Sequence, residues 1–201
     1  MIRILIAEDM HMIRGALVAL LSREDDMDVV AELDRGDHVM DEITRTRPDI
    51  ALLDIDMPGL DGLSVAARIA EHVPETQVLI LTGLSQPGYL LRALQAHVRG
   101  FVVKDAPAQT LAESIRKVVA GERVFDTDLV AAALETGSSP LTIREAEVIR
   151  AAETGISTED IASRLFLSPA TVRNYLSNAI TKIGGRNRID AIRIARDAGW
   201  L

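Results

Sequence analysis

The sequence predicts a doubly wound α/β domain with a five-stranded parallel sheet, followed by a small all-α domain, and three observations carry that prediction. Short apolar runs recur along the first hundred residues, and Ile50 to Leu53 has no polar alternation, as expected of a strand covered on both faces. Segments with apolar residues at helical spacing lie between the runs, and strands alternating with helices give a parallel sheet. Beyond residue 140 the runs stop and helix caps take over.

The first strand is Met1-Ile-Arg-Ile-Leu-Ile-Ala7, ending on Glu8-Asp9, and the recurrence of Met12, Ile13, Ala16, Leu17, Leu20 and Leu21 predicts a helix of about three turns after it. Asp28 to Leu33 is a weaker strand, and Gly36 to Arg45 reads as the second helix, stopped before Pro48. Strand three opens at Asp49 and ends on Asp54, where Pro58-Gly59 and Asp61-Gly62 turn the chain back. Leu63 to Val73 makes the third helix, ended by Pro74. Strand four, Gln77 to Leu81, ends on Thr82-Gly83; Ser85-Gln-Pro-Gly is a turn, and Tyr89 to Val98 the fourth helix. Strand five, Gly100 to Val103, ends on Lys104, and a helix from Ala108 to Ala120, with Leu111, Ile115, Val118 and Val119 on one face, closes at Gly121.

Composition narrows the function. The chain has 201 residues, 48% of them hydrophobic, no cysteine and a formal net charge of −8, so a disulfide scaffold and thiol catalysis are excluded. No apolar stretch approaches the ~20 residues of a bilayer span, and the chain runs straight into a strand with no signal peptide, so the expectation is a cytoplasmic protein without membrane insertion. Residues 1 to 140 hold 13 Lys and Arg against 23 Asp and Glu, whereas residues 141 to 201 hold 9 against 7. Two domains with different partners follow from that asymmetry, and only the second has a charge balance suited to nucleic acid. The expected boundaries are 1–120 for the sheet domain, 121–140 for a linker in which Leu129 to Leu134 could form a short helix, and 141–201 for the helical domain; Gly137-Ser-Ser-Pro140 reads as linker.

In open α/β sheets ligands bind outside the carboxyl ends of the strands. Here those ends carry Glu8, Asp9, Asp54, Thr82 and Lys104. Three acids so close together repel one another unless a divalent cation sits among them, and an all-oxygen set suits Mg²⁺. Lys104 and the Thr82 hydroxyl would face added negative charge, and a carboxylate nucleophile in such company suits phosphoryl transfer to Asp54. No glycine-rich phosphate loop follows strand one, which removes dinucleotide binding.

At these residues the first part resembles a response-regulator receiver domain, a flavodoxin-like fold. The resemblance implies Asp54 as phospho-acceptor, Glu8 and Asp9 as metal ligands, Asp56 as the residue whose backbone carbonyl completes the metal shell, Thr82 as switch hydroxyl, Phe101 as switch aromatic and Lys104 as the paired lysine. It also implies a sensor histidine kinase as donor. Where many receivers have Lys followed by Pro, Asp105 and Ala106 intervene before Pro107. Two alternatives compete. Asp54-Ile-Asp56 also resembles the Asp-x-Asp of haloacid-dehalogenase phosphatases, but those use their first strand. A phosphorylation-independent receiver scaffold is expected to lack an acid or the lysine, and both are present.

The helical domain is read from its caps. Thr142-x-x-Glu145 opens a helix to about Thr154, stopped at Gly155, and Ser157-x-x-Asp160 opens a short one to Leu165. Ser168-Pro169 caps a helix from Ala170 to Ile183, and Asn187 caps the last, ending at Gly199. The short link Phe166-Leu-Ser168 makes the middle pair a helix-turn-helix. On its second helix Val172, Leu176, Ala179, Ile180 and Ile183 form the buried stripe, leaving Ala170, Arg173, Asn174, Ser177 and Thr181 exposed. Arg173 and Asn174 can reach base edges or phosphates, with Thr171 and Lys182 placed for phosphates.

From Leu141-Thr-Ile-Arg-Glu-Ala-Glu-Val148 through Thr171-Val-Arg173 and Lys182 to Arg188 this part resembles the LuxR/NarL-type DNA-binding domain, so that the whole resembles two-component response regulators of the NarL/FixJ type. Tyr175 stands where that family usually has His, and Ser177 where some members have a base-contacting Lys. Gln86-Pro-Gly-Tyr89 and Gly199-Trp200 resemble regulators of lipid-desaturase systems. The implied partners are double-stranded promoter DNA, RNA polymerase and a second copy of the chain, a homodimer forming on phosphorylation through the first and fifth helices or the last helix.

Overall fold

The computed structural model describes residues 1–83, 87–135 and 139–201, and the chain divides into a sheet unit, up to Val130 apart from a stretch ending at Tyr89, and a helical unit made of that stretch and the chain from Ala131. The sheet unit runs β1 (Ile2–Ala7), α1 (His11–Leu21), β2 (Met27–Leu33), α2 (Val39–Thr46), β3 (Ile50–Leu53), α3 (Gly62–His72), β4 (Gln77–Thr82), α4 (Pro87–Gln95), β5 (Gly100–Val103) and α5 (Ala108–Val119). The strands are parallel, in the order β2-β1-β3-β4-β5. Strand order therefore reverses between β1 and β3, and that crevice is where such sheets hold ligands.

Every residue of β3 is buried. Ile50 and Leu52 join Ile4, Ile6, Leu79 and Leu81 under α1 and α5, against Leu17, Leu21, Leu111, Ile115 and Val118. Ala51 and Leu53 alternate to the other face. Burial on both faces explains the run's unbroken apolarity. After β3 the chain folds back so tightly that a Cβ on Gly62 would lie 1.9 Å from the Asp54 carbonyl oxygen. Gly59 has φ +82°, and Asp61 caps α3 by accepting from Leu63 N at 3.1 Å and Ser64 N at 3.0 Å.

Three expectations need correction. The second helix opens with a 3₁₀ turn, Gly36–His38, before α2. The fourth runs from Pro87 to Gln95, not Tyr89 to Val98. His97 has φ +58° and Val98 N donates to Ala93 O at 3.0 Å, so Val98 belongs to the closing turn, and its apolarity imitates another helical position. The expected linker is structured over much of its length. Val124 bridges to Gly100, with Phe101 N donating to Val124 O at 2.8 Å, and α6 (Thr127–Glu135) follows, capped by Asp126. The expected turn at Ser85 and linker at Gly137 fall on residues outside the described set.

The helical unit holds α7 (Ile143–Ala152), α8 (Thr158–Leu165), α9 (Pro169–Ile183) and α10 (Arg188–Asp197). Both expected capping boxes form, at Thr142/Glu145 and Ser157/Asp160, while Ser168 caps α9 and Asn187 caps α10. Val148, Ile149, Ile161, Val172, Ala179, Ala191 and Ala195 make its core. Among the described residues no helix is long and apolar enough to cross a membrane.

Candidate functional site

The loops after β1 and β3 bring three carboxylates together at the strand-order reversal. Glu8, Asp9 and Asp54 each offer an oxygen, and the three lie within 4.8 Å of one another. Glu8 and Asp54 are buried, Asp9 half-buried and Asp56 exposed. From the end of β5, Lys104 reaches across so that Nζ lies 2.7 Å from Glu8 Oε2 and 3.0 Å from Asp54 Oδ2. Backbone amides hold the remaining oxygens, Ile55 N donating to Asp54 Oδ1 at 2.8 Å and Met10 N to Glu8 Oε1 at 3.2 Å. Thr82 is buried at the end of β4, where its carbonyl accepts from Lys104 N at 2.8 Å, and Phe101 is buried on β5. Arg14, which the sequence pattern did not single out, donates from Nη1 to the Glu8 carbonyl at 2.5 Å. Its only signal in the sequence is position, the first turn of α1 facing the loop it closes.

Burial pushes the carboxyls of Glu8 and Asp54 above the usual carboxylate range, and the hydrogen bonds from Lys104 only partly offset this. Burial also opposes the charge of Lys104, but its bonds to Glu8 and Asp54 outweigh that and raise it above the ordinary lysine value. One ammonium facing three acids leaves the pocket short of positive charge, and its donors are all hard oxygens. A divalent cation of the Mg²⁺ type fits that set.

In the helical unit, α9 buries Val172, Leu176 and Ala179 and exposes Arg173, Asn174, Ser177 and Thr181. Arg173 lies 4.0 Å from exposed Glu159. Thr171 is half-buried, its hydroxyl 2.8 Å from Ser168 Oγ. Lys182, expected at a phosphate, and Arg188, which the resemblance implies as a further DNA contact, have partners within the domain. At ~100° per residue, the nine positions from Arg173 to Lys182 make about two and a half turns, which leaves Lys182 about 180° around the helix from Arg173 and off the polar face. Its Nζ instead lies 2.7 Å from Oε2 of buried Glu145, the same oxygen that accepts from Thr142 N at 2.7 Å. Arg188 donates from Nη2 to the carbonyls of Ala152 at 2.8 Å and Ile156 at 2.9 Å, closing the end of α7. Spacing along one helix does not reveal partners on another.

Comparison with known proteins gives two family matches, a response regulator receiver domain over residues 4–116 and bacterial regulatory proteins of the luxR family over residues 139–195. The uncharacterized transcriptional regulatory protein YvfU of Bacillus subtilis is 41% identical, and the transcriptional regulatory protein DesR of the same organism 40% identical, each over the full length of both chains. Among solved structures, the response regulator ChrA of a heme-sensing two-component system is 31% identical with a TM-score of 0.59, covering 100% of this chain and 98% of its own.

Proposed function

The chain belongs to the response regulators that join a receiver domain to a luxR-type DNA-binding domain, and from that premise we propose that a sensor histidine kinase donates a phosphoryl group to Asp54. It is a transcription regulator, not an enzyme. The observation that carries the proposal is the meeting of Asp54, Glu8 and Asp9 with Lys104 at the strand-order reversal.

Attack by the Asp54 carboxylate forms a P–O bond as the donor's P–N bond breaks. Glu8, Asp9 and Asp54, with the Asp56 carbonyl, would hold Mg²⁺, whose charge would offset that of the phosphoryl oxygens. Lys104, now bound to two carboxylates, then turns to the phosphoryl group. That exchange would weaken its tie to Glu8, and the phosphoryl oxygens would accept from the Thr82 hydroxyl; Phe101 is buried on β5, the strand that ends at Lys104.

The output is DNA occupancy. Arg173, Asn174 and Ser177 on the exposed face of α9 support base or phosphate contacts in a major groove, with Thr171 at the amino end beside the backbone. One recognition helix buries too little for specific binding, so phosphorylation is proposed to pair two copies on promoter DNA in the cytoplasm, where RNA polymerase reads the result.

The test is intact-mass measurement after incubation with acetyl phosphate and Mg²⁺, followed by a gel shift on genomic fragments. One phosphoryl group on Asp54 and a tighter shift are expected. An unmodified chain, or modification at another residue, would overturn the reading.

A further inference from the structure

Phe166 stands in the turn between α8 and α9 with its side chain 96% exposed, in a chain with only three phenylalanines. Its neighbours Leu165 and Leu167 pack against the domain core, so the ring is the part of the turn that faces outward. The backbone there is left-handed, φ +55° and ψ +44°, and Leu167 N donates to Ala162 O at 2.9 Å to close α8. That is the position glycine fills at least strain. Among its described residues, the same unit uses glycine at its other left-handed positions, Gly155 at φ +73°, Gly184 at +76° and Gly199 at +70°. At α8 the left-handed turn closes the helix, but the chain places there a phenylalanine, more strained than glycine, whose ring is exposed and adds nothing to that closure. Rules broken locally without structural gain mark functional positions.

We propose that Phe166 is a DNA-contact residue whose ring packs against the duplex at the edge of the major groove, on deoxyribose carbons or a thymine methyl group. Its place two residues before the Ser168 cap of α9 supports DNA as the occupant. When a recognition helix enters the groove amino end first, with the preceding helix across the backbone, the turn between them lies at the groove's lip. A phenyl ring has no hydrogen bond to offer there, but it has apolar surface, and thymine methyl is a known partner for it. The inference rests on α9 being the element that enters the groove.

The experiment titrates the full chain, treated with acetyl phosphate, against a duplex the wild type retains from a randomised pool and against a random duplex. Phe166→Gly should keep or raise the melting temperature, since glycine suits the backbone, yet lower affinity by about tenfold. The salt dependence should stay unchanged, because no charge is lost. Phe166→Leu should retain part of the affinity. If replacing thymine by uracil in the selected duplex abolishes the difference between wild type and Phe166→Gly, the contact is the methyl; if the difference persists, it is the sugar. Arg173→Ala serves as reference. Wild-type affinity for Phe166→Gly beside a weakened Arg173→Ala overturns this inference alone. If neither variant is weakened, α9 is not the reading helix and both readings fall.

Discussion

Lys104 Nζ lies 3.0 Å from Asp54 Oδ2, so the ammonium assigned to the phosphoryl group is held beforehand by the carboxylate that would accept it. Asp54→Asn removes the nucleophile and keeps the shape. It also relieves one buried charge whose carboxyl is already raised by desolvation. The variant should take up no phosphoryl group from acetyl phosphate by intact mass, while its circular dichroism and melting temperature match or exceed the wild type. A chain still labelled at an aspartate would remove Asp54 from its role.

Lys104→Ala leaves Glu8 and Asp54 buried without their shared cation. Removing one partner of a buried pair costs about 3–5 kcal/mol in a dry interior, and with Lys104 partly in contact with water the expected loss is on the order of 2 kcal/mol at neutral pH. Both acids have folded values raised by burial, so their contribution is full below the ordinary carboxylate range and is lost as pH rises through the raised values. Without Lys104 those values rise further. Urea unfolding across pH should therefore show the deficit shrinking on acidification, and a deficit constant with pH would contradict the pairing.

Asp9 is the half-buried acid of the three, and Lys104 bonds Glu8 and Asp54 instead of it. Its expected role is confined to the cation. Mg²⁺ should raise the melting temperature of the wild type and chelation should reverse this, by mass action on the folded state. Asp9→Ala should lose the metal response and label slowly at limiting Mg²⁺. An unchanged response to Mg²⁺ in Asp9→Ala would remove Asp9 from the ligand set.

Glu145 and Lys182 tie the start of α7 to the end of α9. Burial opposes the Glu145 charge, but the bonds from Lys182 and Thr142 prevail and hold its carboxyl below the usual value. A lowered carboxyl contributes stability that is present above its unfolded value and lost as pH falls through the folded one. Lys182→Met should destabilise the helical domain by on the order of 1 kcal/mol at neutral pH, since Lys182 keeps part of its water, and should flatten the acid limb. Trp200, the single tryptophan, packs against that domain's core and reports its unfolding by fluorescence. Equal acid limbs in the two proteins would show that the pair does not set the Glu145 carboxyl.

Sequence legibility followed how local each signal is. The strands and caps could be read because each rests on contiguous residues, as Ile50 to Leu53 and Ser168-Pro169 show. The acidic pocket could be read because parallel topology puts all strand ends on one side, whatever the register. Lys182 and Arg188 could not, because their partners Glu145 and Ala152 lie over thirty residues away on another helix. The end of α4 was hidden by Val98, whose apolarity fits a helix as well as a closing turn. Phe166 was legible as part of the turn but not as strained or exposed, which only backbone angles and packing disclose.

The Lys182–Glu145 pair bears on what DNA binding should show. Arg173 and Asn174 stand on the free face near the capped amino end of α9, the part of a recognition helix that enters deepest. Base contacts specify and phosphate contacts position, so Arg173→Ala should cost on the order of 1–3 kcal/mol at a selected duplex and much less at random DNA. A phosphate-bound lysine would lower the salt slope by about one unit when removed. Lys182 is turned toward Glu145, on the side of the helix about 180° from Arg173, so Lys182→Ala should leave that slope unchanged. It should instead weaken both DNAs modestly, through the position of α9, in step with its loss of thermal stability. Titrations of both duplexes against salt separate these outcomes. A slope reduced by one in Lys182→Ala would mean that the lysine leaves Glu145 for a phosphate in the complex, and a proportional loss at both DNAs for Arg173→Ala would make that arginine an anchor, not a reader.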